Sequence, residues 1–393
     1  MGGVIVTDEG AAPSGEQRPV RLVVNGLHAK SGGGVTYLRN IIPELAEIPD
    51  LELHLFLHRD QFELFYPVSE KVQVTLFGFR PTFLRTLVWE QVSVPLIAWG
   101  MGADVVFSPA NYGPVFARNH VILLRNALSV IQLTTKIGPL LYWLVLSGAT
   151  FVSLLSAKRA IAVSNYAKKL LNFGLPAYLG KKTGVVYHGT HRIGQGRTYK
   201  PKSGTNLLAV SDIYIQKNYH TLLHAVAILI KERPELQLDI VGREIDSTYA
   251  ESLRTLTREL GLEENVRFRG HVETGELMDL YQGCGVFVFP STVETFGNPL
   301  LEAMAVGAPI ACSNKAAMPE VLGDTGLFFN PNDKNDMAGT IEKLLSDDPL
   351  RRKLGEKARQ RAGSFTWKNT AQQTYSVLKE AADPRPETPR RAR

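Results

Sequence analysis

From Val20 onward the chain repeats one unit: an apolar run of strand length, a polar or glycine-rich turn, and a segment whose apolar positions recur with helical period. VRLVVNGL opens the series, a glycine-rich turn follows from Lys30 to Gly34, and TYLRNIIPELAE reads as an amphipathic helix. Further runs predict strands at LELHLFLH (51–58), VQVTLFGF (72–79), ADVVFSP, HVILLRN, AIAVSN and TGVVYHGT, with a helical stretch around VWEQVSVPLIAWG. Periodicity lapses over 191–204, HRIGQGRTYKPKSG, and the alternation restarts with NLLAVSD. Strands are expected at LQLDIVG, VRFRG, GVFVFPS and APIACS. Helices are expected at HTLLHAVAILIKERP, YAESLRTLTRELG, TGELMDLYQGC, PLLEAMAVG, AAMPEVLG, DMAGTIEKLLSD and WKNTAQQTYSVLKEAA. Strands that alternate with helices form parallel sheets covered on both faces, and 393 residues are too many for one core. The expected architecture is two doubly wound α/β domains, 20–195 and 196–375, facing across a cleft. An arm at 1–19 precedes them, and a helix end with a basic tail at 376–393 follows.

One segment breaks the pattern. Ile137 to Ala157 carries no charge over 21 residues, long enough to span a bilayer, yet it contains Gly138, Pro139, Gly148 and three serines. It reads as a buried or interdomain helix, as a helix lying against a membrane surface, or as a span.

Composition narrows the function classes. Lys and Arg total 44 against 38 Asp and Glu, a formal charge of +6, and four arginines fall between Pro384 and Arg393. A balance this diffuse, with no dense basic stripe interleaved with aromatics, suits anionic small molecules or an acidic membrane face rather than nucleic acid. Cys284 and Cys312 are the only cysteines, each in a run that reads as a buried strand. A disulfide framework and a cysteine metal site are thereby excluded, and a reducing, cytoplasmic compartment is expected. The first 18 residues lack an apolar h-region, so no secretory signal is expected.

Chemistry is expected at the carboxyl ends of the strands, where open parallel sheets bind ligands. Gly32, Gly33 and Gly34 lie between a strand end and a helix start, where bare amides and the positive helix end can meet a phosphate. A plain tight turn is the alternative. The spacing is neither G-x-G-x-x-G nor a P-loop, which removes the usual fingerprints of dinucleotide and ATP sites. The richest stretch is FVFPSTVETFGNPLLEAMAVGAPIACS. A strand ends at Pro290, a polar loop carries Glu294, and Asn298 and Pro299 read as the N-cap and first position of a helix with Glu302 one turn in. Amides around Phe296 to Leu301 are expected to point from that helix mouth into the cleft. Glu294 precedes the helix, so the two carboxylates are aimed separately rather than as an acid/base couple. His28, His188 and His271 each read more simply as structural histidines. No spacing suggests zinc and no Asp-x-Asp occurs, so a reaction without metal or other cofactor is expected.

This stretch resembles the E-x7-E signature of retaining glycosyltransferases of the GT-B fold, family GT4 in particular. VSDIYIQKNYHTLLHAVAIL is similar to that family's segment with a phosphate-binding lysine before an asparagine. VRFRGHVETGELMDLY and the GLFFNPND loop extend the likeness, which is clear in the second half and loose in the first. The resemblance implies two Rossmann-like domains and assigns positions. Glu302 would accept the ribose hydroxyls of a nucleotide-sugar. Glu294, with amides near Phe296, Gly297 and Asn298, would hold the donor sugar, and Lys217 would neutralise the diphosphate. The amides of Gly33, Gly34 and Leu300 would add to that stabilisation, and the backbone at Val272 would touch the base.

Two positions depart from the family. Where members carry Gly-Arg-Leu before the lysine, this chain has Ser211, Asp212 and Ile213. The phosphate-binding arginine is missing, and either Asp212 turns away or Arg243, Arg269 or Arg125 compensates. Where many relatives carry His-Asp on the acceptor side, Arg125 and Asn126 stand here. The resemblance implies retaining, metal-independent transfer of a hexose from a UDP- or GDP-sugar to a hydroxyl of a glycan or lipid-linked acceptor. Cell-envelope or exopolysaccharide synthesis at the cytoplasmic face of a membrane is the expected setting. Rivals are a GT-B protein that binds a nucleotide-sugar or a partner subunit without turnover, and a nucleotide-sugar epimerase of similar architecture.

Overall fold

The computed structural model describes residues 18–30, 32–80, 82–125, 137–190, 199 and 204–382. Nearly all of the N-terminal arm, most of the 191–204 linker, Asn126 and the basic tail from 383 lie outside the described residues.

The two strand series form two parallel sheets. The first contains β1 (Val20–Asn25), β2 (Leu51–His58), β3 (Val72–Phe77), β4 (Val105–Ser108), β5 (His120–Leu124), β6 (Arg159–Ala162) and β7 (Thr183–Val185), in the order β3-β2-β1-β4-β5-β6-β7. The second contains β8 (Asn206–Val210), β9 (Gln237–Val241), β10 (Val266–Gly270), β11 (Val286–Phe289), β12 (Ile310–Ser313) and β13 (Leu327–Phe329), in the order β10-β9-β8-β11-β12-β13. Helices cover both faces, which is why the strands are continuous apolar runs: Leu22, Val23 and Val24 are all fully buried. The strand order reverses once in each sheet, between β1 and β4 and between β8 and β11. Loops leaving the strands on either side of such a reversal diverge and open a crevice. Gly32–Gly34 follow β1, Lys217 follows β8 and Glu294 follows β11, so the fold delivers these candidates to the two crevices.

Four features differ from, or settle, the sequence pattern. GLFFNPND contributes a strand, β13, and not only a loop. A helix at Asp348–Ala362 buries only a thin, mostly small apolar stripe, Leu354, Gly355, Ala358 and Ala362, among its charges; Asp347 caps it by accepting from Leu350 N at 2.8 Å. It docks where Gly355 meets the backbone of Gly307. The final helix, Trp367–Ala381, runs unbroken past residue 375 and packs against the Gly32–Ala46 helix and β4 to β6 of the first sheet. The uncharged segment forms the helix Ile137–Ser156 beside β5. Leu146, Thr150, Ser153 and Leu154 are buried on it, while Leu141, Leu144, Val145, Val152 and Leu155 are exposed. Among the described residues no helix is long and apolar enough to cross a membrane.

Candidate functional site

The loop after β8 makes one 3-10 turn, Ile215–Lys217, which Asn218 ends in the left-handed region at φ 60°, a conformation asparagine tolerates. The buried Asn218 amide donates to Pro290 O at 3.1 Å and Pro331 O at 2.8 Å, and its Oδ1 accepts from Thr221 at 2.7 Å. Thr292 N donates to Gln216 O at 2.9 Å. Together these bonds latch the loop after β8 to the loop after β11. The latch sets the Lys217 ammonium on Glu294 Oε1, which also accepts from Ser291 Oγ at 3.3 Å. Side-chain exposure is only 15% for Lys217 and 16% for Glu294, so each charge leans on the other in a crevice with little water.

Beyond Glu294 the chain passes Gly297 at φ 92°, where a Cβ would also press on the Phe289 ring at 3.2 Å. Gly297 is the N-cap of the Asn298–Val306 helix, so Asn298 does not cap it as the sequence suggests. Its Oδ1 instead bonds His188 Nδ1 at 2.9 Å. Burial lowers the His188 pKa to about 4 against the opposing effect of that bond; the ring is neutral near pH 7, with Nδ1–H as donor. The Leu300 amide, expected at the helix mouth, donates to Gly297 O at 3.0 Å, and Leu301 donates to the same oxygen at 3.2 Å. The first turn therefore uses them. The amides of Phe296, Gly297 and Asn298 make no backbone bond among the described residues. The Phe296 ring is buried against Tyr187, His188 and Phe365.

Glu302 lies one turn in, apart from the Lys217–Glu294 pair, and accepts from Tyr281 OH at 3.0 Å. The residue keeps an edge in solvent, but burial of the carboxyl raises its pKa to about 7, outweighing the Tyr281 bond that lowers it. Val272 sits two residues past β10, half-buried and outside these contacts.

The first sheet contributes the facing group. Arg125, just past β5, donates from Nε to Pro109 O at 3.0 Å and from its backbone N–H to Asn111 Oδ1 at 2.9 Å. Its guanidinium lies on the glycine turn: a Cβ on Gly34 would fall 2.6 Å from Nη2, and one on Gly33 3.6 Å from Nη1. Glycine at position 34 therefore makes room for a cation. Thr295 Oγ1 donates to Arg125 O at 2.6 Å, and Ser164 Oγ donates to Thr295 O at 2.6 Å. The residue beside Glu294 is thus stitched to the first sheet. The other two candidate cations are taken: Arg243 forks onto Asp212, 2.8 Å from Oδ2, and Arg269 binds Asp239 at 2.8 Å. Asp212 is neutralised, and among the described residues Arg125 meets no carboxylate.

The pattern of residues did not single out Glu90, Tyr281 or Asn218 for these contacts. Glu90, 1% exposed in a π-turn over Trp89–Ser93, bonds His28 Nε2, whose Nδ1 meets Tyr112 OH at 3.1 Å. Its one available signal was a lone carboxylate within VWEQVSVPLIAWG. His271 is exposed. Among the described residues no group of three His, Cys, Asp or Glu could hold a metal ion.

Residues 196–361 match the family model described as Glycosyl transferases group 1. The likeness lies in the second half of the chain and covers less than half of its length. The serotype-specific mannosyltransferase WbdA of Escherichia coli is 30% identical over 222 residues, 56% of this chain. The match spans 27% of that relative, so the chain corresponds to about a quarter of its length. In three dimensions the sucrose-phosphate synthase of Thermosynechococcus elongatus superposes with a TM-score of 0.73 at 20% identity, covering 92% of this chain and 98% of that one. HepE of Anabaena, solved in complex with UDP-glucose, gives 0.69 at 18%, covering 92% and 99%. These structural likenesses show the fold: two Rossmann-like domains in the GT-B arrangement.

Proposed function

We propose that this chain is a retaining, metal-independent glycosyltransferase that moves a hexose from a UDP- or GDP-sugar to a hydroxyl of a glycan or lipid-linked acceptor. Cell-envelope or exopolysaccharide synthesis at the cytoplasmic face of a membrane is the proposed setting. The observation that carries the reading is the Lys217–Glu294 pair at one strand-order reversal, latched beside a glycine turn that seats, at the other, an arginine with no carboxylate partner among the described residues. In this reading the donor diphosphate enters between them. Lys217 leaves Glu294 for the phosphate and stabilises the charge that grows on the leaving group. Arg125 supplies the cation missing at Ser211–Ile213, with the Gly33 and Gly34 amides at a helix start beside it. Glu294, released from Lys217, accepts hydroxyls of the donor sugar next to the amides of Phe296, Gly297 and Asn298. Glu302 takes the ribose hydroxyls and the Val272 backbone the base. The departing phosphate accepts the proton of the incoming hydroxyl on the face it leaves, which retains configuration.

The UDP-glucose complex of HepE and the mannosyltransferase name of WbdA support a nucleotide-sugar donor and a hexose. The pairing of Asp212 with Arg243 supports a cleft able to accept a diphosphate. The test is a thermal-shift screen with UDP and GDP, with and without EDTA, followed by transfer assays on Lys217→Ala and Glu294→Ala. One nucleoside diphosphate should raise the melting temperature regardless of EDTA. Each variant should lose about 10²-fold or more in turnover with an unchanged circular dichroism spectrum. Wild-type turnover in either variant overturns the assignment. A shift without any transfer supports a binding protein of the same fold.

A further inference from the structure

Between the Phe83–Gly100 region and the Ile137–Ser156 helix lies a cavity of about 600 Å³. Leu87 and Val115 line it from the first side, and Leu141, Val145, Leu146 and Val152 from the helix. Its polar lining includes His28, Tyr112 and Glu90, bonded to one another, and no Lys or Arg lines it among the described residues. One oxygen of Glu90 is used, by His28 and by Asn25 Nδ2 at 3.1 Å. The other, Oε2, is buried with no hydrogen-bond partner among the described residues. An unsatisfied buried carboxylate oxygen is costly, and in a cavity wall it is an acceptor placed for a donor that is brought in. Leu87, Val88, Val92 and Leu144, on the same two helical segments that wall the cavity, are also 40% to 57% exposed. The polar group also adjoins the crevice, since Tyr112 follows Asn111, which fixes Arg125.

We propose that this cavity seats the hydrocarbon chain of a lipid-linked acceptor, with a hydroxyl of its uncharged head on Glu90 and the chain leaving past the exposed leucines and valines. The proposal rests on the glycosyltransferase reading above and names where its acceptor sits. Charge selects the head: a carboxylate with no Lys or Arg in the described lining repels an anionic headgroup and accepts from a hydroxyl. The apolar lining and the exposed leucines and valines on the same segments select the tail, because a soluble glycan would leave them bare.

The full chain is titrated calorimetrically with octyl, decyl and dodecyl maltoside below their micelle concentrations, beside maltose. Gly148 lines the cavity, and a Cβ there meets nothing within 4 Å, so Gly148→Phe fills the space without straining the fold. Val152→Asp charges the wall. The expected result is one-site binding that strengthens about fourfold per methylene, weakens about tenfold or more in both variants, and is absent for maltose. Affinity independent of chain length, or equal in wild type and both variants, overturns the proposal, and so does an absence of binding. Unchanged affinity in Glu90→Gln removes the head contact. Nucleoside diphosphate shifts on the same samples keep the two readings apart. Their absence in wild type counts against the glycosyltransferase, whereas their retention in both variants makes lost chain binding local to the cavity.

Discussion

Glu302 holds its proton to about pH 7 because burial of its carboxyl outweighs the bond from Tyr281. The unfolded chain releases that proton near 4.5. Between those values the native state binds the extra proton, so stability falls as pH rises. Glu302→Gln is expected to match wild type at pH 4 and to exceed it by about 2–3 kcal/mol at pH 8, in urea melts at both. A ribose hydroxyl donates best to the ionised form, so nucleoside diphosphate binding should tighten as pH passes 7, and Glu302→Gln should lose that slope. At this scale Glu302 was readable as an acid of its own, aimed apart from Glu294. What buries it, Tyr281 from another helix, was not. The three glycines likewise announced a close approach. That the approaching group is Arg125 depends on β5 lying two places from β1 in the sheet.

Elements position these residues through a few buried bonds. Asn218 carries two of them to carbonyls at Pro290 and Pro331. Asn218→Gly keeps the left-handed turn and strands both oxygens. It is expected to cost about 2–4 kcal/mol and to lower kcat/KM as Lys217 loses its seat on Glu294, read by denaturation and steady-state kinetics. Legibility of elements followed the strength of their apolar pattern. All the strands with continuous buried runs were visible, whereas the Asp348–Ala362 helix, with arginines and lysines around most of its circumference, was not. Its buried stripe at Leu354, Ala358 and Ala362 is narrow and mostly alanine, and the cap at Asp347 and the close glycine contact of Gly355 with Gly307 leave no periodic trace. The Asn298 cap was misread for a similar reason: Gly297 can adopt φ 92° and start the helix one residue earlier.

Across the whole molecule the two sheets are joined by a shared apolar network in which Tyr37, His188, Phe296 and Trp367 pack ring against ring. Glu320 reinforces it by accepting from Asn165 N at 2.7 Å and from Tyr187 OH at 2.8 Å. The final helix belongs to this join, with Leu378 and Ala381 fully buried. Leu378→Ala should cost about 2–5 kcal/mol. Hydrogen exchange should speed in β4 to β6 as well as in the helix, since these are the strands the helix covers. The two-domain α/β class was legible because each half repeats the same alternation. The destination of the last helix was not, because an amphipathic pattern declares that a face is buried without naming the sheet that buries it.

That return has a consequence for biosynthesis. The strands of the first sheet leave the ribosome complete by residue 185, yet the helix that roofs them begins only at Trp367. At translation speeds of 5–20 residues per second the nascent sheet waits about 10–35 s with one side open. The first half of this protein is thus born unfinished, and a chaperone that shields apolar surface has a defined interval, ending when the last helix emerges, in which to hold it.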